Sequence, residues 1–360
     1  MVKRNFKEIK MEAFLGEPKN QEVKEYVMNL QSKDSLCISA NYTPEQILFS
    51  YIISKYTKDI YILSFESKDC DVQLKVDSSG RWIIDNINKK YYFVGQNSYC
   101  SYLSISNDEL LPTLTCIMLS IIMDRRPFTQ WELDLIKNLE KFGIIVEKNL
   151  KIPNYKQLPL FLSLMLSLDP FIPSITGNRE NAIKIIKEVN LNEISKLEDL
   201  NENQLNTLLF KIISLITKEN AKFARDDIIT DRIYYLDYDT LELAFSALYA
   251  FDVIGTNELL QLVLSPSYAE ILENRYKQKL SKGFSLNLID SKQSYYLIEA
   301  KNFESPLIAQ LVFLQLQKIR RDKMVILKIG DELYTSRYFI NSKKEGLIKL
   351  DNGIKDSIKV

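Results

Sequence analysis

The sequence predicts a two-part α/β protein, and three observations lead to this class. Residues 36–38 are apolar, residues 39–41 are small or polar, and from Thr43 onward apolar residues recur at helical spacing. A second apolar run at residues 60–65 follows about one helix later, so the two strands are expected to form a parallel unit with a right-handed crossover. Beyond residue 227, short strands alternate with helices, which predicts a smaller mixed α/β domain.

The helix that begins near Thr43 has a well-specified start. We expect Thr43 to be the N-cap residue and Pro44 to pre-set the backbone at the first helical position, while Gln46 completes a capping box. In α/β proteins, ligand chemistry is often found at the carboxyl end of such a strand. Here we expect the polar side chains of Thr43 and Gln46 to cap the N-terminus of the helix and not to bind a ligand.

Further elements of the first half follow from the same patterns. A second capping box, Thr129 with Glu132, predicts a helix that Gly143 closes. The other predicted elements are a helix at residues 17–31, strands at residues 72–76, 91–94 and 102–105 and a buried helix at residues 111–123.

The second half is predicted to be richer in helices. The apolar periodicity lapses over residues 218–227, so the predicted domains are residues 1–220, with a helical segment at 158–217, and residues 228–360. The predicted elements after the boundary are helices at 240–251, 258–264, 269–280 and 306–320 and strands at 284–289, 295–299, 324–329 and 332–339.

The composition excludes some classes of catalytic and binding chemistry. Lys and Arg together number 47, as do Asp and Glu, so the net charge gives no argument for binding nucleic acid or a membrane. The chain has no histidine, which removes imidazole as a general base or metal ligand. The cysteines form no C-x-x-C pair, and we expect buried free thiols. They are Cys37, Cys70, Cys100 and Cys116.

No stretch approaches the ~20 apolar residues that a membrane span needs. The charged N-terminus is not followed by the long apolar core of a signal peptide. We therefore expect a cytoplasmic protein with no membrane partner.

Three stretches carry a resemblance to a known family. Residues 167–180, SLDPFIPSITGNRE, are similar to an "S-x-D-P-Y-I-P-G-L-T-G" segment. Residues 243–251, LAFSALYAF, look like an "EFATLLNACGR" helix, and residues 275–280 like the "YRxxL" helix after it. With the order of elements, these stretches resemble the DHH phosphoesterases of the RecJ type. The resemblance is greatest to the archaeal GINS-associated nuclease branch, the counterpart of the RecJ-related subunit of the eukaryotic CMG helicase.

The resemblance implies a DHH-type parallel sheet domain with a helical segment and a smaller DHH-associated domain, but the family's metal motifs are not matched. The His-x-Asp-x-Asp-Gly motif corresponds to residues 39–45, which contain neither His nor Asp. Asp77 matches a lone metal-binding Asp and is interpreted as at most a relic. The Asp-His-His motif falls on residues 95–97, GQN, or on residues 85–87, DNI. The His-containing phosphate motif expected after residues 336–337 is absent from the sequence as well.

These departures predict an inactive homologue that uses no metal or other cofactor. The resemblance implies binding to the GINS complex and, through it, to the MCM helicase. The protein would then be a scaffold subunit of a CMG-like archaeal replicative helicase, associated with the nucleoid.

The alternative prediction is a single-stranded DNA-binding module of the RecJ type without nuclease activity. Two basic clusters are its candidate phosphate contacts. The structural interpretation of the same residues is a solvated turn and a helix C-terminus, where the helix dipole stabilises positive charge. The residues of the two clusters are Arg125, Arg126, Lys318, Arg320 and Arg321.

Overall fold

A computed structural model describes residues 16–65, 69–153, 156–220, 222–223 and 225–350. The helices are α1 (Asn20–Gln31), α2 (Pro44–Ser54), α3 (Asn107–Asp124), α4 (Gln130–Leu139), α5 (Leu160–Leu166), α6 (Arg179–Glu188), α7 (Glu202–Thr217), α8 (Thr240–Val253), α9 (Asn257–Leu264), α10 (Tyr268–Leu280) and α11 (Pro306–Gln315). The strands are β1 (Ser35–Ser39), β2 (Ile60–Ser64), β3 (Val72–Asp77), β4 (Gly80–Asp85), β5 (Lys90–Gly95), β6 (Ile145–Leu150), β7 (Ile229–Tyr235), β8 (Tyr238–Asp239), β9 (Ser285–Ser291), β10 (Tyr295–Lys301), β11 (Met324–Ile329), β12 (Glu332–Ser336) and β13 (Leu347–Leu350). Within the described ranges, no helix is both long enough and apolar enough to cross a membrane.

The first sheet is built on the β1–α2–β2 unit. β1 and β2 are parallel, with Leu36 opposite Tyr61, which confirms the predicted strand-helix-strand unit. The strand order is β2-β1-β3-β4-β5. β3 runs parallel to β1, and β4 and β5 continue the sheet in antiparallel fashion. The apolar side chains of Leu36 and Ile38 on β1 are buried, so the unit is fixed by a continuous core.

Two parts of this sheet differ from the prediction. β4 was not predicted, because Arg81 and Asp85 interrupt its apolar run, yet every residue of the strand is buried. The strand predicted at residues 102–105 is wrong, since the chain forms a 3-10 turn at Tyr99–Tyr102. The Tyr99 hydroxyl donates a hydrogen bond to the backbone carbonyl of Lys75 (2.8 Å), which anchors the turn against the sheet.

The two capping predictions for the first half have different outcomes. At α4 the capping box is confirmed: the Thr129 hydroxyl accepts from the Glu132 N–H (3.3 Å), and the Glu132 carboxylate accepts from the Thr129 N–H (3.0 Å). A short 3-10 turn then ends at Gly143, which has a left-handed backbone (φ +87°). The box predicted at Thr43 is not formed, as described below.

The prediction of free thiols is wrong. Cys37 is bonded to Cys70, and Cys100 is bonded to Cys116. The partners are 33 and 16 residues apart in the chain, so packing of the first sheet and of α3 brings them together. Sequence spacing carries no signal for such pairs.

The second large sheet has the order β13-β12-β11-β10-β9. β10 and β11 are parallel and the other neighbouring pairs are antiparallel. A small hydrophobic core forms on this sheet. Its buried members are Tyr295, Met324, Ile326, Leu333 and Leu350. The strands of the second half alternate with helices along the chain, which confirms its predicted mixed α/β character.

The chain is divided into two compact units. The first takes its residues from Met1–Ile145, Tyr234–Ala244 and Thr256–Ala269, and the second from Val146–Ile233, Phe245–Gly255 and Glu270–Val360. The helical segment at residues 158–217 therefore groups with the second sheet. Compactness is not a measure of independent folding, so the predicted domains stay a prediction.

The stretch at residues 167–180 forms a turn with internal hydrogen bonds. The Thr176 hydroxyl donates to the backbone carbonyl of Ser167 (2.8 Å) and accepts from the Ile172 N–H (2.8 Å). Gly177 has a left-handed backbone (φ +78°), and its carbonyl accepts the Phe284 N–H (3.0 Å). A Cβ on Gly177 would lie 2.2 Å from the Phe284 carbonyl oxygen. The position therefore requires glycine for both backbone conformation and space.

We expect Gly177→Ala to lower the free energy of unfolding through two costs. Alanine must adopt the left-handed backbone, and the clash of its Cβ with the Phe284 carbonyl adds about 2 kcal/mol or more to that cost. The matched control is Gly143→Ala. Gly143 also has a positive φ, but a Cβ added to it would meet no atom of the described chain within 4 Å. The control is expected to cost about 1–2 kcal/mol. Urea unfolding of both variants measures the difference, and equal losses would contradict the steric argument.

Candidate functional site

The junction after β1 is the first candidate site, because the family's first metal motif corresponds to it. Thr43 has an extended backbone, as expected of an N-cap residue, but its side chain makes no capping hydrogen bond. The predicted capping box is therefore wrong. Instead, the side-chain oxygen Oε1 of Gln46 accepts the backbone N–H of Asn41 (2.7 Å). The loop between β1 and α2 is therefore closed by Gln46.

Glu45 is the one acidic residue of the stretch 39–45, and an arginine binds it. The Arg81 Nε lies 2.9 Å and its Nη2 2.8 Å from Glu45 Oε2. The backbone N–H of Tyr99 donates to Glu45 Oε1 (3.0 Å). Both side chains are buried, with Glu45 5% and Arg81 3% exposed. The carboxylate is thus fully engaged by donors from β4 and from the 3-10 turn.

The ion pair continues into a larger set of charges. Arg81 Nη2 also lies 2.7 Å from an oxygen of Asp124, at the end of α3. Arg126 binds the fully buried Glu132 with two hydrogen bonds of 2.7 Å. Glu132 in turn accepts from the backbone N–H of Ser98 (2.8 Å). We call Glu45, Arg81, Asp124, Arg126 and Glu132 the buried charge network.

The electrostatics of the network favour its charged form. Burial alone lowers the pKa of Arg81, but the neighbouring carboxylates of Glu45 and Asp124 outweigh it, so the pKa lies above its ordinary value. The guanidinium therefore stays charged at every pH at which the protein folds. Sequence reasoning missed Arg81 and Asp124 as site residues, and the one available signal was an arginine inside an apolar strand.

The junction does not fit a pair of divalent metals. Its single carboxylate, on Glu45, is bound by a guanidinium and a backbone N–H. Two-metal hydrolysis needs several carboxylates or imidazoles that converge on the same ions. In the described part of the chain, no group of three or more Asp, Glu, Cys or His side chains is arranged to hold a metal ion.

The other positions that match family motifs have structural partners. Asp77 accepts from the N–H of Ser79 (2.9 Å) within the β3–β4 turn. Asp85 accepts from the N–H (2.9 Å) and the side chain (2.8 Å) of Asn88. Burial raises the pKa of Asp85, but these donors outweigh it and the pKa lies below its ordinary value. In the better-matching register, residues 95–97, the Asn97 side-chain amide donates to the Tyr102 hydroxyl (2.6 Å).

The predicted phosphate contacts have different surroundings. Arg125 is exposed and ends α3 with a left-handed backbone (φ +54°), whereas Arg126 is held in the buried charge network. Lys318 is exposed and lies 2.6 Å from a carboxylate oxygen of Glu219. The side chains of Arg320 and Arg321 are exposed. Contact of these residues with nucleic acid stays a prediction.

The structural interpretation of the second basic cluster needs correction. The helix predicted at residues 306–320 ends at Gln315, and Gln317 has a positive φ of 56°. Lys318, Arg320 and Arg321 therefore lie in the loop after the helix and not in its last turn. Lys323, in the same loop, lies over the ring of Tyr296 at 4.9 Å.

The second unit contains a buried acid that sequence reasoning also missed. Asp252, in the last turn of α8, is 1% exposed. Its Oδ2 accepts from the Ser305 hydroxyl (2.5 Å) and from the Leu307 N–H (2.8 Å) at the start of α11. Burial raises the pKa of Asp252 to about 6, against the pull of these donors. The carboxyl therefore fixes the start of α11.

Comparisons with known proteins agree with the fold described above. A family model described as Archaeal Cdc45 matches residues 11–353. Among solved structures, the crystal structure of CDC45 from Entamoeba histolytica is similar, with a TM-score of 0.52, 10% sequence identity and 88% of each chain covered. At this identity the likeness concerns the fold alone, and it confirms the predicted α/β class of the RecJ-like DHH type. No curated protein matches the sequence.

We expect Arg81→Met to lower the free energy of unfolding by about 3–5 kcal/mol, because it leaves the buried carboxylate of Glu45 without its cation. The double variant Arg81→Met with Glu45→Gln is expected to recover part of this loss. The control is Lys187→Met, which breaks an exposed pair with Glu193 (2.9 Å) and is expected to cost about 1 kcal/mol or less. Denaturant unfolding measures all three variants, and a loss for Arg81→Met as small as the control's would contradict the assignment.

Asp252 gives an expected pH dependence of stability. Its pKa of about 6 in the folded state lies above the ordinary value of 3.8, so the native state keeps a proton that the unfolded chain has released. This contribution to stability therefore falls as the pH rises from about 4 to about 6, by roughly 3 kcal/mol, and is level at higher pH. Asp252→Asn removes the titration while retaining an oxygen acceptor. Unfolding measured across this pH range is expected to show the variant gaining on the wild type, and parallel curves would contradict the prediction.

Proposed function

We propose, from the premise that this chain belongs to the archaeal Cdc45 family, that it acts in DNA replication as a non-catalytic scaffold that binds the GINS complex. With GINS it would bind the MCM helicase and complete a CMG-like replicative helicase. The family membership supports a replication role. The partners come from the resemblance to the GINS-associated branch of RecJ-type proteins.

The observation that carries the non-catalytic part of the proposal is the Glu45–Arg81 ion pair. In the stretch that corresponds to the family's first metal motif, the one carboxylate neutralises a guanidinium held by β4. This guanidinium is bound to Glu45 and Asp124 and offers no coordination position, so it does not generate a hydroxide nucleophile from a bound water as a metal does. The complete lack of histidine supports the same conclusion from the sequence.

The scaffold proposal is tested by assembly. We expect the purified protein to co-elute with purified archaeal GINS from a size-exclusion column at a fixed stoichiometry, and the mixture to retain MCM. The Arg320→Glu, Arg321→Glu double variant is a suitable control, because it changes the exposed basic loop without altering the buried charge network. Elution of the protein and GINS as separate peaks at every salt concentration would contradict the scaffold proposal.

A second candidate function is single-stranded DNA binding without cleavage. The exposed side chains of Arg320 and Arg321 favour it, together with Lys323 over the ring of Tyr296 in the same loop. Phosphate binding by such a loop would be electrostatic and salt-dependent.

For this alternative we expect binding to a labelled oligonucleotide that weakens linearly on a plot of log affinity against log salt. The Arg320→Glu, Arg321→Glu variant is expected to reduce both the affinity and the slope. In the same samples with Mn²⁺ or Mg²⁺, we expect the oligonucleotide to stay intact. Cleavage that Asp77→Ala abolishes would overturn the non-catalytic interpretation, and salt-independent binding would exclude the DNA-binding alternative.

A further inference from the structure

The disulfide between Cys37 and Cys70 joins two neighbouring strands of the first sheet. Cys37 lies in the middle of β1, and Cys70 lies two residues before the start of β3. The Cys37 N–H also donates to a carboxylate oxygen of Asp71 (2.9 Å), the residue between Cys70 and β3. Both links therefore tie β1 to the beginning of β3.

The strand pairing at this place is short. In the part of the chain that the structure describes, β1 and β3 pair over residues 38–39 and 72–73. By contrast, β1 pairs with β2, and β3 with β4, over its whole length. We call the short pairing and the Cys37–Cys70 bond the β1–β3 seam. The disulfide therefore reinforces the weakest strand pairing in this part of the sheet.

The bond lies on the open face of the sheet. Leu36 and Ile38 are buried in the core, so the side chain of Cys37 between them points to the opposite face. Its neighbour on β2 at that face is Ile62, which is 51% exposed. Cys37 is half-buried, whereas Cys70 is 2% exposed. A small molecule in solution therefore reaches the bond from the side of Cys37.

The second disulfide is enclosed. It joins the 3-10 turn to α3, and both of its members, Cys100 and Cys116, are 0% exposed. The Cys116 Sγ lies 3.6 Å from the backbone carbonyl oxygen of Glu45, inside the core of the first unit. In thiol–disulfide exchange a thiolate must reach one of the two sulfur atoms, so access selects between the two bonds. Exposed disulfides are accordingly the labile ones, and Cys100–Cys116 serves as an internal reference.

Opening the Cys37–Cys70 bond would loosen the seam and leave the rest of the first unit in place. The Glu45–Arg81 ion pair joins α2 to β4 without any cysteine, and α2 connects β1 with β2. Cys70 stays beside β4, because the side-chain amide of Asn86 donates to its backbone carbonyl (2.8 Å). The expected effect is therefore a local gain in mobility between β1 and β3.

We propose that the Cys37–Cys70 bond is a thiol–disulfide exchange site for a soluble dithiol, and that its redox state sets the mobility of the β1–β3 seam. A thiolate of the dithiol attacks the Cys37 Sγ, the S–S bond breaks, and the Cys70 sulfur leaves as a thiolate that takes up a proton. The second thiolate then attacks the dithiol's own sulfur in the mixed disulfide and releases Cys37. The protein gains two electrons and two protons, and the dithiol is oxidised to a disulfide.

This inference goes beyond the helicase proposal. It assigns a chemical modification to one pair of residues in the first unit, and it holds whichever complex the protein joins.

The first test identifies which cysteines are reduced. The full-length protein, purified without reductant, is treated with dithiothreitol under native conditions for increasing times, and free thiols are then blocked with iodoacetamide. Peptide mass spectrometry identifies the alkylated cysteines. We expect Cys37 and Cys70 to be alkylated together, about tenfold or more sooner than Cys100 and Cys116, whose bond is reached only after the core opens. The proposal is overturned if the untreated protein has no Cys37–Cys70 bond, or if the two bonds are reduced at the same rate.

The second test measures backbone hydrogen exchange before and after the selective reduction. We expect exchange at residues 36–39 and 72–74 to become about tenfold faster, because the loss of a cross-link lowers the free energy of local opening. Exchange in the second sheet is expected to stay the same. Oxidised glutathione, which accepts the two electrons, is expected to restore slow exchange at the seam. Unchanged exchange at the seam after reduction would overturn the proposal.

Two double variants show which bond is responsible. The variant with Cys37→Ser and Cys70→Ser is expected to exchange at the fast rate with or without dithiothreitol. The matched control, Cys100→Ser with Cys116→Ser, is expected to keep the response of the wild type. A response that persists without Cys37 and Cys70 would contradict the assignment. The alkylation test uses the wild type alone, so it decides the matter if either variant does not fold.

Discussion

The ion pair between Glu45 and Arg81 is the interaction on which the first unit depends. It joins the first turn of α2 to β4, and through the backbone N–H of Tyr99 it fixes the 3-10 turn. Two unpaired charges at this depth would each cost several kcal/mol of desolvation. Helix α2 and strand β4 can therefore pack only in an arrangement that brings the two charged groups together. The pair thus fixes the position of α2 on the sheet and adds little net stability.

The same pair explains why this junction is structural. A carboxylate at this junction can be neutralised by a bound metal or by the side-chain cation of the same chain, and the two differ in whether a position stays open for a substrate or water. A metal retains exchangeable positions, whereas the guanidinium of Arg81 spends its donors on Glu45, Asp124 and Ser120. The buried site is closed to substrate by its own hydrogen bonds.

The parts of the fold that sequence reasoning predicted are those set by local periodicity. The β1–α2–β2 unit and the capping box at Thr129 follow from spacing and side-chain chemistry within a few residues. β4 was missed because Arg81 breaks its apolar run, and only the distant Glu45 makes that arginine acceptable inside. The disulfides were not predicted for the same reason, since each depends on which residues the tertiary structure places side by side. The role of Gln46 is a local miss, because its partner Asn41 lies only five residues before it.

Ser120 gives the charge network a property that none of its ion pairs has alone. Its hydroxyl oxygen accepts from Arg81 (2.9 Å) and from Arg126 (2.8 Å), so both lone pairs are used and the two guanidinium groups share one acceptor. A shift of either arginine changes the hydrogen bond available to the other. The energies of the ion pairs made by Arg81 and by Arg126 are then not additive, and α3 holds the two arginines as one cooperative element.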